Sequence, residues 1–359
     1  MKKHLTIALD AMGGDQAPAV VVHGAHLARE RYPDVHFVFF GRSDDVLPLL
    51  DAAPLLKKVS RFVHTDDVVQ AEDKPGKALR RSRQSSMALA IESVKAGECD
   101  VAVSAGNTGA LMALAKFILR TLPSIDRPAL ASLLPTYKGE CVMLDLGANV
   151  ECDASNLVEF SVMGAAFART VLGLQRPRVG LLNIGVEELK GNEEVKEAAE
   201  ILRTSDLPME FCGFIEGNMI GAGETDVVVT DGFTGNVALK AVEGTAQLIG
   251  RLVGDAFRSS WRARLGYLLA RRGMNGLRDH LDPNNHNGAV MLGLNGLVVK
   301  SHGGATVEGY ATAIGVAIDM AHHNLIHLIT KDLGGVAMER QDNESLTMDT
   351  DKQAESKSA

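Results

Sequence analysis

"DVVVTDGFTGNVALK", residues 226–240, holds a β-branched run that stops at Asp231-Gly232 and a helix-like pattern that resumes within four residues. Such a run reads as a buried strand whose polar, glycine-bearing turn feeds a helix. An earlier stretch, "DVAVSAGNTGALMAL" (residues 100–114), has Asp, Val, Val, Gly, Thr and Gly at the same offsets. In an open parallel sheet, ligands bind outside the carboxyl ends of strands, where turns of this kind lie. The two stretches point to an α/β protein with a mostly parallel sheet covered by helices on both faces.

The rest of the chain repeats this grammar. "LTIALD", "HFVFFG", "CVMLDLG", "RVGLLNIG", "MEFCGFI" and "LVVKSHG" are further continuous apolar runs, as expected for strands buried on both sides. Helix-length segments at 78–97, 108–121, 155–173, 192–204, 234–256 and 305–329 alternate with them. Pro123, Pro128 and Pro135 mark 122–136 as an irregular or short-stranded connector. The expected organisation is one α/β catalytic domain over residues 1–330, with a protruding basic helical insert at about 240–287. From residue 331 apolar periodicity is lost, and a disordered tail is expected over 331–359.

The 359 residues are 46% hydrophobic, enough for a large core, and the net charge of −8 argues against a general nucleic-acid binder. Cys99, Cys141, Cys152 and Cys212 lack CxxC spacing and read as reduced thiols of a cytoplasmic protein. The start, "MKKHLTIALDAMGGD", reaches Asp10 too soon for a signal peptide. No apolar run approaches the roughly 20 residues of a membrane-spanning helix.

Five strand ends carry glycine-bearing polar turns: "DAMGGDQAP", "SAGNTG", "DLGANVE", "NIGVEELKGN" and "TDGFTGN". Glycine lets backbone approach a ligand closely, and a following helix N-terminus favours an anion. In "TDGFTGN", Thr234 is the expected N-cap, which puts Gly235 and Asn236 in the first helical turn. Tight turns and helix capping alone also account for such glycines. In "KGNEEVKEAAE", Glu193 and Glu194 already neutralise the helix dipole, so Lys190 is expected to act as a side-chain cation. No phosphate-loop, complete dinucleotide, nucleophile-elbow or HExxH motif is present. His323 and His327 stand four apart without an acidic or cysteine partner, so packing is preferred over metal binding. Cys152 has no adjacent histidine to make it a nucleophile.

Read in order, "LDAMGGDQAP", "SAGNTGALMA", "LDLGAN", "KGNE", "TDGFTGNVALK" and "SHGGA" closely resemble the bacterial phosphate acyltransferases, the PlsX family of acyl-carrier-protein:phosphate transacylases. The resemblance runs from about residue 5 to 330. It implies transfer of a long-chain acyl group from the thioester of acyl carrier protein to inorganic phosphate. The acyl phosphate then feeds a membrane-bound glycerol-3-phosphate acyltransferase in phospholipid synthesis. It further implies a homodimer, no metal or organic cofactor, and a fold related to isopropylmalate dehydrogenase and phosphate acetyltransferase. The family's catalytic lysine and asparagine match Lys190 and Asn236.

Phosphate can attack a thioester directly, so the protein has to desolvate it, aim it and stabilise the oxyanion. The expected phosphate-orienting set is Asn236 with Asp231, Gly232, Thr234 and Gly235, while Lys190 stabilises the developing charge. Gly106, Asn107, Thr108 and Gly109 are expected on the opposite wall of the same cleft, with Asp10, Gly13 and Gly14 in a further turn. Residues 256–278 contain six arginines and no acidic residue. There Trp261, Leu265, Leu268 and Leu269 intersperse with Arg262, Arg264, Arg271 and Arg272, a pattern suited to an anionic membrane surface or to acidic carrier protein. A solvated face beside a dimer seam is the plainer reading. "KALRRSRQSS" (77–86) is a second basic patch, a candidate contact for carrier protein or phosphate. The expected location is cytoplasmic, on the inner face of the cell membrane. The competing functions are a metal- and NAD-dependent decarboxylating dehydrogenase of the same fold and a non-catalytic scaffold for carrier protein at membranes.

Overall fold

The computed structural model of the chain describes residues 4–334. Its strands are β1 (Thr6–Asp10), β2 (His36–Gly41), β3 (Ser60–His64), β4 (Val101–Ser104), β5 (Ala129–Thr136) and β6 (Gly139–Leu144). They continue with β7 (Arg178–Leu182), β8 (Glu210–Ile215), β9 (Val227–Val229), β10 (Ala289–Leu292) and β11 (Leu297–Lys300). The helices begin with α1 (Ala19–Arg31), α2 (Ser43–Asp51), α3 (Pro54–Lys57), α4 (Pro75–Arg81), α5 (Ser86–Lys95) and α6 (Thr108–Leu119). They end with α7 (Ala154–Leu172), α8 (Glu193–Thr204), α9 (Gly232–Arg258), α10 (Trp261–Leu281) and α11 (Val307–His322).

All the strands join one sheet in the order β3-β2-β1-β4-β11-β10-β5-β6-β9-β7-β8. Two apolar cores, one on each face, bury it between helices. The sheet consists of two parallel blocks. In the first, β3, β2, β1, β4 and β11 share one direction. In the second, β6, β9, β7 and β8 do. Between them β10 is antiparallel to both β11 and β5, and β5 is antiparallel to β6. The second block therefore runs opposite to the first, and the two sets of strand ends leave opposite edges of the sheet.

The repeated D-V-x-V opening has a plain structural job. Asp100 Oδ2 accepts from the Thr6 N–H at 2.8 Å, and Asp226 Oδ2 accepts from the Arg178 N–H at 2.8 Å. Each aspartate staples the start of its strand to the start of a parallel neighbour. The valines that follow are fully buried.

Three expectations change. Segment 78–97 divides into α4 and α5, because the Ser85 side chain caps a new helix by accepting from the Ala88 N–H. Connector 122–136 holds the eight-residue β5; Pro135 fits there because pairing with β10 stops at Ala131, leaving that side of the strand open. The helix at 305–329 is interrupted at His323-Asn324, where Asn324 takes a left-handed φ of 51°. Helix resumes over 325–334 with Leu333 buried and Arg169 paired to Asp332, so 331–334 belong to the folded body. The remainder of the expected tail lies outside the described residues.

α9 starts in the body and then leaves it. Its only buried residues are Gly232 and Gly235, and the helix packs along α10, with the Phe257 and Tyr267 rings 5.4 Å apart. A Cβ on Gly235 would stand 1.9 Å from the Asp145 carbonyl oxygen, and one on Gly232 would stand 2.6 Å from that of Asn149. The glycines thus let the helix start sit directly on the 145–149 turn. Gly244, farther along α9, has nothing within 4 Å of such a Cβ. In urea denaturation, Gly235→Ala is expected to lose about 3 kcal/mol or more by overpacking. Gly244→Ala is expected to gain up to about 1 kcal/mol from helix propensity. Equal effects at the two positions contradict this seating.

Candidate active site

The carboxyl ends of β6, β9 and β7 are side by side, with Leu144 and Leu181 both in register with Val229. Three turns leave this edge: 145–151, 230–232 and 183–192. The first is organised by Asp145, whose side chain is fully buried. Its Oδ1 accepts from the N–H groups of Leu130 (2.9 Å), Gly147 (3.3 Å) and Ala148 (3.0 Å). Its Oδ2 accepts from the Asn149 N–H (2.7 Å) and Asn149 Nδ2 (2.9 Å). Burial raises this carboxyl's pKa, while those donors favour the ionised form.

The turn at Thr230–Gly232 differs from the sequence expectation in one respect that matters for chemistry. The N-cap of α9 is Asp231, not Thr234. Asp231 Oδ1 accepts from the Thr234 N–H at 2.8 Å and Oδ2 from Thr234 Oγ1 at 2.7 Å. The Gly232 N–H donates to the Asn149 carbonyl (2.7 Å) and that of Gly235 to the Asp231 carbonyl (2.9 Å). These amides are occupied, and a carboxylate already sits at the helix's positive end. A backbone cradle of Gly232, Thr234 and Gly235 is therefore not open to an anion there. What the turn offers instead is Asn236, one residue past Gly235 and half-buried. A Cβ on Gly147 would stand 2.6 Å from Asn236 Nδ2, so the amide lies against a glycine in the Asp145 turn. Among the described residues the Asn236 amide makes no side-chain hydrogen bond.

On the neighbouring strand end, the Asn183 Nδ2 donates to the Lys190 carbonyl at 3.1 Å, and the Lys190 N–H donates to the Glu187 carbonyl at 3.0 Å. These bonds fold the 183–192 turn and leave the Lys190 side chain exposed, with no carboxylate paired to it among the described residues. Asn192 caps α8, and Glu193 and Glu194 occupy its first turn as expected. Around this edge stand exposed apolar side chains that sequence reasoning passed over: Val150, Ile184 (82% exposed), Val186, Leu189 (90%), Phe233 and Val237. Cys152 is near Asp145 and Asp231, and burial first, then those carboxylates, push its thiol up to about 12. It is a poor nucleophile at neutral pH.

The other glycine turns gather at the opposite edge. From β4 to β9 there are five strand spacings, or roughly 24 Å across the sheet at about 4.8 Å each. The Gly106–Gly109 turn therefore does not face Asn236 across one phosphate-sized cleft in the same chain. Asn107 is the N-cap of α6, and its Nδ2 donates to the carbonyls of Ala71 (2.6 Å) and Asp73 (3.2 Å). The capping alternative is what its side chain shows. Thr108 is the exposed first residue of α6, and Gly109 admits Pro75. Asp10 is 1% exposed and accepts from Ser86 Oγ and Ser104 Oγ, both at 2.6 Å. Gly13 packs on the Gly106 N–H, and Gly14, with φ +107°, packs on Ala105. The same edge holds Lys300, which the sequence reading did not single out. Its Nζ donates to the Ala105 and Ser301 carbonyls, and burial lowers its pKa to about 8. Among the described residues no His, Cys, Asp or Glu cluster is arranged to hold a metal ion.

The chain matches the model of a family described as "Fatty acid synthesis protein" over residues 5–328. It is 57% identical to a phosphate acyltransferase of Rhodopseudomonas palustris (strain BisB5), over 93% of this chain and 95% of that one. A phosphate acyltransferase of Rhodospirillum centenum is 56% identical over 93% and 94%. Among solved structures, a branched-chain phosphotransacylase from Enterococcus faecalis V583 aligns with a TM-score of 0.59 at 15% identity, covering 89% of this chain and 99% of that one. A phosphotransacetylase from Streptococcus pyogenes also gives 0.59, at 18% identity over 90% and 95%. These two likenesses show the fold. The length and identity of the sequence matches show that the chain belongs to the phosphate acyltransferase family, and so is an enzyme.

Proposed function

We propose that this phosphate acyltransferase moves a long-chain acyl group from the thioester of acyl carrier protein to inorganic phosphate, giving acyl phosphate for phospholipid synthesis. One observation supports it most. An amide (Asn236) and an ammonium (Lys190), both without side-chain partners among the described residues, follow adjacent strands, with exposed apolar side chains in the same turns. A fatty chain and a small anion need those two environments side by side.

In this reading Lys190 attracts phosphate and Asn236 orients it or the thioester carbonyl. A phosphate oxygen attacks the carbonyl carbon, the carbonyl oxygen takes up negative charge, and the C–S bond breaks to release the carrier's thiolate. Lys190 and Asn236 stabilise the charge that develops. A covalent acyl-enzyme on Cys152 is disfavoured by that thiol's raised pKa. The apolar rim holds the start of the acyl chain, with Leu189 and Phe233 among its contacts. Asp231, Gly232, Thr234 and Gly235 act indirectly, by fixing the start of α9 and with it Asn236.

The reading extends to the surface. No described helix is long and apolar enough to cross a membrane. The α9–α10 hairpin exposes Trp261, Leu265, Leu268 and Leu269, and Arg262 stacks on Trp261 at 5.4 Å. With Arg264, Arg271 and Arg272, this is an amphipathic surface suited to anionic lipid. Peripheral binding there would hand the product to a membrane-bound glycerol-3-phosphate acyltransferase. The exposed apolar residues of α9, including Leu248 and Leu252, support a homodimer.

Lys190→Ala and Asn236→Ala are each expected to lower kcat for acyl-phosphate formation about a hundredfold without lowering Tm. A folded variant with near-normal turnover removes that residue from the mechanism. Leu189→Asp should raise KM about tenfold for a long acyl chain and far less for a short one; equal changes count against the rim. Binding to anionic vesicles should weaken with salt and with Leu268→Glu, and if neither matters the hairpin does not meet lipid.

A further inference from the structure

We propose that the exposed basic face of α4 is the docking surface for the acidic protein that carries the acyl thioester, an inference that rests on the function proposed above. Lys74, Lys77, Arg80 and Arg83 are all exposed, on a chain whose net charge is −8. Lys74, Lys77 and Arg80, with Gly76, line a depression of about 570 Å³. Lys77 is paired with Asp73 at 2.5 Å, while Lys74, Arg80 and Arg83 have no carboxylate within salt-bridge distance among the described residues. Beside them the Arg83 guanidinium lies 5.2 Å from the ring centre of Phe117, which is 56% exposed. An exposed aromatic ring against an unpaired arginine, next to further basic groups, is the composition of a protein-binding patch for an acidic partner.

The patch is held in place. The Asn107 bonds to the carbonyls of Ala71 and Asp73 tie the start of α4 to α6, and Arg80 Nε donates to the Gly76 carbonyl at 3.1 Å. Ala78 and Leu79 of α4 and Ala238 and Leu239 of α9 pack into the same apolar core on one face of the sheet. A carrier seated on α4 therefore lies on the sheet face that α9 also packs against, although α4 stands at the β4 side of the sheet, five strand spacings from β9. The favoured partner is a protein rather than a bilayer. Phe117 is the large apolar group that α4 has beside it, whereas α10 presents the Trp261, Leu265, Leu268 and Leu269 row that insertion into lipid requires.

The test compares the full chain with Lys74→Glu/Arg80→Glu, two substitutions at exposed positions. Fluorescence anisotropy of labelled acyl carrier protein reads Kd, turnover is followed with the same acyl group on the carrier and on a short thiol, and sedimentation reads binding to anionic vesicles. Expected are carrier binding that weakens with salt, a loss of about tenfold or more in affinity on charge reversal, and a larger KM increase for the carrier-borne donor than for the short thioester. The proposal is overturned if the unmodified protein does not bind the carrier, if charge reversal leaves its Kd unchanged, or if vesicle binding falls instead. Carrier binding through α4 without any acyl phosphate formed leaves the surface standing and refutes the proposed reaction.

Discussion

The structure around the candidate site depends on one buried carboxylate. Asp145 follows β6, and its two oxygens accept from Leu130, Gly147, Ala148 and Asn149. An unpaired charge at that depth would cost several kcal/mol, so the turn is obliged to wrap its amides around it. The wrapped turn is the surface on which Gly232 and Gly235 seat α9. Asn236 follows at once, next to Gly147, and its direction is set by a carboxylate that it never touches. Removing that carboxylate would free the turn, the helix start and the asparagine together.

This arrangement separates two roles that glycine-rich turns are often given jointly. The Gly232, Thr234 and Gly235 amides at the start of α9 are used to build the protein, and Asp231 places negative charge where a helix end is usually free to bind an anion. In the proposed function, recognition therefore passes from the backbone to side chains, an amide after one strand end and an ammonium after the next. Side-chain donors can move with a reacting phosphate as charge shifts toward the carbonyl oxygen, which fixed and already bonded amides cannot do.

Much of the fold was legible because parallel strands announce themselves. Runs such as Val227–Val229 and Leu297–Val299 are apolar on both faces and are followed by turns. β5 and β10, which lie between the blocks, were not legible; Pro135 in β5 reads as a strand breaker, and β10 follows the helical insert directly rather than alternating with a helix of its own. The reversal itself is a property of pairing, invisible in any local pattern, and it moves the two matching turns to opposite edges. Even the match is partial. The same letters put the cap at Asn107 in one repeat and at Asp231 in the other, so α6 starts two residues later in the pattern than α9 does. Lys190 and Asn236 were found through motif resemblance. Asp145 stood inside a quoted motif, but its burial depends on β5, and the apolar rim was hidden because Ile184 stood in a strand-like run and Leu189 and Phe233 are single apolar residues inside polar turns.

The most direct test of the account is a crystal structure of the full chain soaked in inorganic phosphate. The account predicts phosphate at the β6–β9–β7 edge, with oxygens within hydrogen-bond distance of Asn236 Nδ2 and Lys190 Nζ and none bonded to the first amides of α9. Phosphate bound at the Gly106–Gly109 turn, with the Asn236 edge empty, would contradict it.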